Sequence, residues 1–450
     1  MKYANWEKTN NLKKDLTKIN LKKEEPLLKS GIPVIYEGDD CYITNDGGHT
    51  LIVGSTGSGK TQTMILPLIK LSLKASESLI VNDPRGELYK ATANKFKESG
   101  YKVVLLDFDK FIYGESWNPL LLPYKTYMEG NKDYALKLLE YLSYYIFTDE
   151  KSNAGDPFWI NSTCDYFTGL CLYLFKNAKE EEINLVNVYE LSNKVTKDKE
   201  NFMKKVQDDL GILCSLSGTL ESPAETMGGI IATFNQKIKK YIINENLSNM
   251  MLTSSFDITS INEEKVAIYI MGGYYDYGNS LIPLFINQVF ETVNQFESHE
   301  RRINVILDEF DRLLPIKDFA ETINYSRSVN ICYTVVIKSY LDLINTYGKE
   351  NVELINLCFA NIIYLLSNDI YTLNKISELC GNQEINNNIV PLITVEELKT
   401  IEKFEAIFLM IRKLPIKLKL TPDYKIDWGY TIDEEELKKR KINTYKKYTY

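Results

Sequence analysis

The feature that most constrains the fold of this chain is a glycine-rich octapeptide near its amino terminus. It reads Gly54-Ser55-Thr56-Gly57-Ser58-Gly59-Lys60-Thr61. Its glycines let several backbone N–H groups approach one anion, and a helix from Lys60 onward would direct its amino-terminal dipole at the same anion. The apolar run at residues 50–53 supplies the strand that this phosphate-binding motif, the P-loop, requires. We therefore expect Lys60 to contact the β- and γ-phosphates of a nucleotide and Thr61 to ligate Mg²⁺.

The second half of such a site is a carboxylate at the end of an apolar strand. The run at residues 303–307 ends in Asp308 and Glu309. Asp308 would hold the hydration shell of Mg²⁺, and Glu309 would polarise the attacking water as a general base. Asp83 and Asp107 also follow apolar runs, so position alone leaves them as alternatives. The adjacent pair of acids favours Asp308.

Apolar runs of strand length alternate with helical segments, which is typical of a parallel sheet covered on both faces. The runs lie at residues 50–53, 78–82, 102–107, 266–270, 303–307, 330–336 and 361–365. Two later runs, 406–410 and 416–420, predict an edge hairpin around Lys413 and Leu414. The stretch 125–245 has helical periodicity instead. The predicted fold class is therefore α/β with a mainly parallel sheet, plus an inserted all-α domain.

These patterns divide the chain into five parts. They are a polar arm at 1–30, the first part of a nucleotide-binding domain at 31–124, the all-α insertion at 125–245, the second part of the nucleotide-binding domain at 246–425, and a charged tail at 426–450. The tail passes from acidic to basic residues, and we expect it to form a frayed helix.

Composition excludes several classes of protein. Only two histidines are present, which argues against a histidine zinc site or a Ser-His-Asp triad. A net charge of −8 argues against coating nucleic acid through overall charge, although a local basic channel stays compatible with it. No run approaches the roughly 18 apolar residues of a membrane span, and seven scattered cysteines indicate reduced thiols. No Asn-Lys-x-Asp motif for reading guanine occurs. These features predict a cytoplasmic enzyme.

Several longer motifs resemble those of the VirD4/TraG coupling proteins of type IV secretion and conjugation. They are Asn82-Asp83-Pro84-Arg85-Gly86-Glu87-Leu88-Tyr89, Ser116-Trp117-Asn118-Pro119-Leu120, Asp308-Glu309-Phe310, Ser326-Arg327-Ser328, Lys338-Ser339, Tyr347-Gly348, and Asn368-Asp369 with Thr372. The first two are far more specific than a P-loop, and the likeness extends from about residue 31 to 420. It implies a RecA-like P-loop core, assembly as a homo-hexameric ring, ATP hydrolysis with Mg²⁺, and delivery of a relaxase-bound DNA strand to a transfer channel.

The resemblance also assigns roles to single residues. Arg327 falls where the family has an arginine finger, a residue that neutralises charge on the phosphoryl group in the neighbouring subunit's site. Lys338 stands where the family usually has glutamine, and a lysine can contact phosphate but has no acceptor with which to position water. Arg85 is expected either to brace the nucleotide domain or to contact another subunit.

The implied partners are a relaxase or relaxosome, single-stranded DNA with low sequence specificity, and a membrane-anchored component of the secretion system. The family normally has transmembrane helices before the position equivalent to Ile32. We therefore expect a variant without that anchor, recruited to the inner face of the membrane by a partner. The loop at 272–278, rich in Gly and Tyr, would either stack on DNA bases or form a packed turn.

Two alternatives from other classes remain at this stage. The first is an ATP-regulated docking platform for relaxosome and channel proteins that does not translocate DNA. The second is another DNA-translocating P-loop motor of the phage-packaging type, which would be expected to carry a nuclease domain with clustered acids.

Overall fold

The computed structural model describes residues 4–23, 25, 27–45, 47–148, 156–273, 276–431 and 433–450. The strands in this part of the chain are β1 (Thr17–Asn20), β2 (Pro33–Glu37), β3 (Asp40–Ile43), β4 (His49–Gly54), β5 (Ser78–Asn82), β6 (Lys102–Asp107), β7 (Val266–Met271), β8 (Ile303–Leu307), β9 (Ile331–Ile337), β10 (Phe359–Leu366), β11 (Asn382–Ile385), β12 (Asn388–Pro391), β13 (Glu405–Met410) and β14 (Ile416–Lys419).

The α-helices are α1 (Thr9–Asp15), α2 (Leu66–Lys74), α3 (Glu87–Glu98), α4 (Leu121–Met128), α5 (Lys132–Phe147), α6 (Pro157–Asn177), α7 (Leu185–Lys197), α8 (Lys199–Val206), α9 (Leu210–Leu220), α10 (Ala224–Ile243), α11 (Glu245–Met250), α12 (Asp276–Asn294), α13 (Phe319–Ser326), α14 (Tyr340–Tyr347), α15 (Lys349–Leu357), α16 (Ile370–Cys380) and α17 (Val395–Lys399). A π-helical turn, Thr61–Ile65, leads into α2. None of the helices in the described ranges combines the length and apolar composition of a membrane span.

Two compact units make up the chain, and each is described by itself. The first comprises Met1–Val104, Thr259–Met271 and Val293–Glu436. The second comprises Leu105–Ile258, Gly272–Thr292 and Leu437–Tyr450. The second unit thus begins at residue 105 and not at 125, where the sequence placed the start of the all-α insertion, and it includes two later segments.

The main sheet has nine strands in the order β14-β13-β10-β4-β9-β8-β5-β7-β6. The neighbours from β10 through β7 all pair in parallel, while β13 and β14 add an antiparallel edge. Central strands such as β4, β5, β8 and β9 are buried along their whole length, as expected for a parallel sheet covered on both faces. Every strand and the edge hairpin predicted from the sequence are confirmed, with ends that differ by at most two residues.

The polar segment at 1–30 is in part ordered within the first unit. Its residues form α1 and β1, and β1 pairs antiparallel with β3 in a small sheet of order β1-β3-β2. Leu12 and Leu21 are buried. A few apolar side chains and one strand pairing are enough to order a segment whose average composition is polar.

The second unit is mainly helical, with α4 to α11 forming its largest continuous part. Helix α12 belongs to it because it packs against the other helices. The ring of Phe285 lies 5.3 Å from that of Trp117, and Glu291 accepts a hydrogen bond from Tyr134 Oη at 3.0 Å. Asn118, from the Trp-Asn-Pro motif, is buried and donates to the carbonyl of Ile183 at 2.6 Å. This motif therefore connects the segment before α4 to the residues before α7 and to α12.

The charged tail does not form the predicted frayed helix in its described residues 426–431 and 433–450. Its last part runs extended along the second unit instead. Arg440 donates to Asn249 Oδ1 at 2.8 Å, and Tyr445 Oη contacts Asn187 Oδ1 at 2.7 Å. Side-chain hydrogen bonds to neighbouring helices thus replace the internal hydrogen bonds that a helix would have made.

His49, the first residue of β4, is buried at the amino end of the strand that leads into the P-loop. Its Nδ1 accepts the backbone N–H of Tyr333 on β9 at 3.0 Å. Burial lowers the pKa of His49 to about 4, and the nearby guanidinium groups of Arg302 and Arg327 act in the same direction. The imidazole is therefore neutral in the folded chain at neutral pH.

We predict that this histidine makes the protein sensitive to acid. Between about pH 4 and the ordinary value of 6.5 the unfolded chain binds the proton more tightly than the folded chain. The free energy of unfolding should thus decrease as the pH falls through this window, by about 3 kcal/mol for this group. Urea unfolding followed by circular dichroism at a series of pH values measures the effect. His49→Gln should lose this part of the acid sensitivity and His299→Gln should keep it. Equal sensitivity of His49→Gln and the wild type would contradict the prediction.

Candidate functional site

Most of the site residues predicted from the sequence converge because four parallel strands of the first unit end side by side. In the sheet, β4, β9, β8 and β5 are consecutive neighbours. Val53 pairs with Ile337, and Asn82 pairs with Leu307. The residues that follow these strands therefore emerge at one edge of the sheet, where open α/β sheets bind ligands. They are the P-loop after β4, Lys338 after β9, Asp308 after β8 and Asp83 after β5.

A cavity of about 350 Å³ lies at this edge. It is lined by Thr56, Gly57, Gly59, Lys60, Thr61 and Gln62 of the loop and its helix, by Asp83, Pro84, Arg85, Glu87 and Leu88, by Asp308 and Glu309, and by Lys403, Phe404 and Tyr424. The P-loop and the predicted acid pair thus face one space. Its size suits a small ligand.

The P-loop has the backbone geometry that an anion cradle needs. Gly57 and Gly59 have φ angles of +84° and +93°, which residues with a side chain rarely adopt. A Cβ at Gly59 would lie 2.9 Å from the ring of Phe404. The buried Lys60 folds back, and its Nζ donates to the Gly54 carbonyl at 3.1 Å. The Lys60 side chain and the glycine-rich backbone at Gly57 and Gly59 therefore line one cavity, which suits a polyphosphate.

The two acids after β8 occupy different environments. The Asp308 Oδ1 accepts the N–H of Glu309 at 2.9 Å, and Asn82 Nδ2 donates to the Asp308 carbonyl at 2.6 Å. Burial raises the pKa of Asp308, and the nearby Lys60 opposes that change. Glu309 has a left-handed backbone with φ of +51° and pairs with Arg312 at 2.9 Å. Oxygen ligands of this kind beside Thr61 suit a hard cation such as Mg²⁺.

Of the alternative acids, Asp83 joins the cavity and Asp107 does not. Asp83 is buried, and its Oδ2 accepts the N–H of Tyr89 at 2.8 Å, which caps the start of α3. Burial raises the pKa of Asp83 to about 6. Asp107 lies in the second unit and accepts the N–H groups of Lys110 at 3.0 Å and Tyr113 at 3.3 Å. It stabilises a turn.

Lys338 is half-buried just beyond β9, beside Asp311. Burial raises the pKa of Asp311, and the ammonium group of Lys338 opposes that change. Ser339 caps α14, since its Oγ accepts the N–H of Asp342 at 3.1 Å. Lys338 therefore lies at the same edge as the P-loop, although it does not line the cavity.

Arg327 is the predicted residue that the structure does not bring to this edge. It is exposed and follows α13, before β9 begins. A strand of seven residues such as β9 spans roughly 20 Å. Because β9 runs parallel to β4, Arg327 lies at the opposite edge of the sheet from the P-loop of its own chain.

Several residues that line the cavity were not predicted as ligand contacts. Arg85, expected as a brace or subunit contact, lines the cavity, and so do Lys403, Phe404 and Tyr424. In the aromatic loop at 272–278, Tyr274 and Tyr275 lie outside the described residues.

The chain is similar to a known protein family and to several solved structures. The family model described as "Type IV secretory system Conjugative DNA transfer" matches residues 2–392. No curated protein matches the sequence significantly. The bacterial conjugative coupling protein TrwBΔN70, in a trigonal form with sulphate, aligns with a TM-score of 0.69 and 14% identity over 94% of each chain.

Two further solved structures share the fold. TrwB in complex with ADP and Mg²⁺ aligns with a TM-score of 0.68 and 14% identity over 94% of each chain. VirB4 of Thermoanaerobacter pseudethanolicus aligns with a TM-score of 0.56 and 13% identity over 88% of this chain and 97% of VirB4. These likenesses confirm the predicted fold class, a RecA-like P-loop core with an all-α domain. Because the family model spans most of the sequence, this chain belongs to the type IV secretory system family for conjugative DNA transfer.

Proposed function

We propose that this chain is a P-loop ATPase that links a relaxase-bound DNA strand to a type IV secretion channel and drives or licenses its transfer. The observation that carries the proposal is the single cavity in which Lys60 and the P-loop amides face Asp308 and Glu309, within a member of this family. TrwB, which shares the fold, has been crystallised with ADP and Mg²⁺ and with a non-hydrolysable ATP analogue.

In this proposal ATP is the substrate and Mg²⁺ its companion ion. The P-loop at residues 54–61, with the Lys60 ammonium group, would hold the phosphates, and Thr61 and Asp308 would hold the ion. Mg²⁺ neutralises charge on the phosphate oxygens when it is bound. Two hydrogen bonds hold Asp308 in position. The Glu309 backbone N–H donates to the Asp308 carboxylate, and the Asn82 side chain donates to the Asp308 backbone carbonyl.

Glu309 orients and deprotonates the attacking water in this scheme. Its carboxylate is paired with Arg312 at 2.9 Å, so it must exchange this partner for the water before it acts. Arg85, which lines the same cavity, offers a guanidinium group to the terminal phosphate of its own chain's nucleotide. Lys338, beside Asp311, supplies positive charge in the place of the family glutamine.

Arg327 acts on a neighbouring subunit's nucleotide. Its position, roughly 20 Å along β9 from its own P-loop edge, supports action in trans because its own chain's phosphates are out of reach. A homo-hexameric ring would bring each Arg327 to the next subunit's cavity. Head-to-tail contacts of this kind close into rings.

The proposed partners are a relaxase or relaxosome, single-stranded DNA with little sequence preference, and a membrane-anchored component of the secretion system. The last of these would recruit the chain to the inner face of the membrane from the cytoplasm. A net charge of −8 implies that contact with DNA depends on a local basic surface and weakens with salt.

The proposed function predicts that single-stranded DNA stimulates ATP hydrolysis and that the specific rate rises with protein concentration as subunits assemble. Phosphate release measured over a concentration series, with and without DNA, tests both expectations. ATP-dependent binding of relaxosome or channel proteins without stimulation by DNA would contradict a translocase and favour a docking platform.

Lys60→Ala should abolish ATP hydrolysis and leave the fold intact. The change removes an ammonium group and its aliphatic stem from the cavity lining and leaves the apolar core side chains in place, so the circular dichroism spectrum should be unchanged. Lys90→Ala, which alters an exposed lysine of α3, is the matched control and should keep the wild-type rate. A Lys60→Ala protein with wild-type turnover would show that the site is assigned incorrectly.

Arg327→Ala should reduce turnover by roughly 100-fold or more, and only where subunits assemble, because the lost guanidinium group serves the neighbouring site. Mixing Arg327→Ala with an excess of Lys60→Ala should restore activity, since each variant supplies the residue that the other lacks. Arg412→Ala, at an exposed arginine of the β13–β14 hairpin, is the control. An equal loss in dilute monomer would rule out action in trans.

A further inference from the structure

One wall of the cavity is aromatic and has no role in the scheme above. Phe404 and Tyr424 line the cavity together with the P-loop, and both come from the last part of the first unit. Tyr424 is 65% exposed, whereas most large aromatic side chains of this unit are buried. An exposed aromatic side chain on a ligand cavity is available to stack on a ligand.

Phe404 forms the part of this wall that lies against the loop. Its backbone has a left-handed φ of +68°, and its ring lies 2.9 Å from the position that a Cβ at Gly59 would occupy. Lys403 Nζ lies 5.1 Å from the centroid of the same ring. Phe404 thus lies between the loop and the Lys403 ammonium group.

Tyr424 is the part of the wall that is open to a ligand, and its backbone is held in place. It lies in the short 3₁₀ turn Asp423–Lys425. Asp423 pairs with Lys70 at 2.7 Å, and both side chains are only about one-tenth exposed. The Trp428 indole N–H donates to the same carboxylate at 2.9 Å. Because Lys70 belongs to α2, the turn is tied to the helix that continues from the P-loop.

We propose that Tyr424 stacks on the base of a nucleotide whose phosphates are held by the P-loop; this inference rests on the proposed ATPase function and identifies its base subsite. A flat aromatic ring kept exposed beside a phosphate cradle is the group that a nucleobase recognises, because every base has a π-face. A pre-positioned ring also loses little conformational freedom on binding.

An aromatic stacking contact at Tyr424 determines which nucleotide bases bind well. Stacking depends on ring area and does not read exocyclic groups, so adenine and guanine nucleotides bind with similar affinity and pyrimidine nucleotides bind more weakly. The phosphate-side contacts are common to all of them. Tyr325, another exposed tyrosine of the first unit, is 54% exposed and does not line the cavity. It provides a matched control.

The experiment measures binding of ATP and of inorganic tripolyphosphate, both with Mg²⁺, to the full chain by titration calorimetry. Tripolyphosphate carries the phosphates without a base. Tyr424→Ala should weaken ATP binding by about 5- to 100-fold and leave tripolyphosphate binding unchanged. Tyr424→Phe, which keeps the ring, should bind ATP like the wild type, and so should Tyr325→Ala.

The outcomes separate this inference from the proposed function. Unchanged ATP affinity in Tyr424→Ala would overturn the inference alone. Equal weakening of ATP and tripolyphosphate would also overturn it, because the residue would then support the loop and not the base. A wild-type chain that binds neither compound would overturn the proposed function and this inference with it.

Discussion

The register of the parallel strands is the constraint on which the candidate site depends. Asn82 pairs with Leu307, so Asp83 and Asp308 leave the sheet side by side, and the pairing of Val53 with Ile337 brings the P-loop beside Lys338. A shift of one residue in either pairing would exchange the two faces of the strand. Buried apolar side chains on both faces fix this register and, with it, the positions of the candidate site residues.

Much of this arrangement could be predicted from the sequence because the parts are local. The octapeptide at 54–61 defines its own backbone, and apolar runs bounded by polar residues mark the strands within two residues. The choice of Asp308 over Asp83 and Asp107 also rested on a local sign, the second acid at Glu309. That sign could not show that Asp83 lines the same cavity, because the order of strands in the sheet decides which acids meet.

Other features depended on contacts between distant parts of the chain. Phe404 and Tyr424 are two among 18 phenylalanines and 31 tyrosines, and nothing near them in sequence marks them as cavity residues. The ion pair of Lys70 with Asp423 joins residues more than three hundred positions apart. The extended tail and the larger helical unit have the same origin, since Arg440 and Phe285 stabilise them through side chains far along the chain. Such contacts cannot be predicted from local composition, because the contacting residues lie far apart in the sequence.

Gly59 of the P-loop lies close to the ring of Phe404 on the aromatic wall, so movement of one side of the cavity affects the other. A loop that rearranges around a bound anion must move against a ring that is itself packed under Lys403. Displacement at the glycine would pass into the segment that leads to the β13–β14 hairpin, the antiparallel edge of the main sheet. Binding of an anion to the P-loop would then change the position of the β13–β14 hairpin. Another macromolecule that contacts this edge of the sheet could respond to that change without entering the cavity.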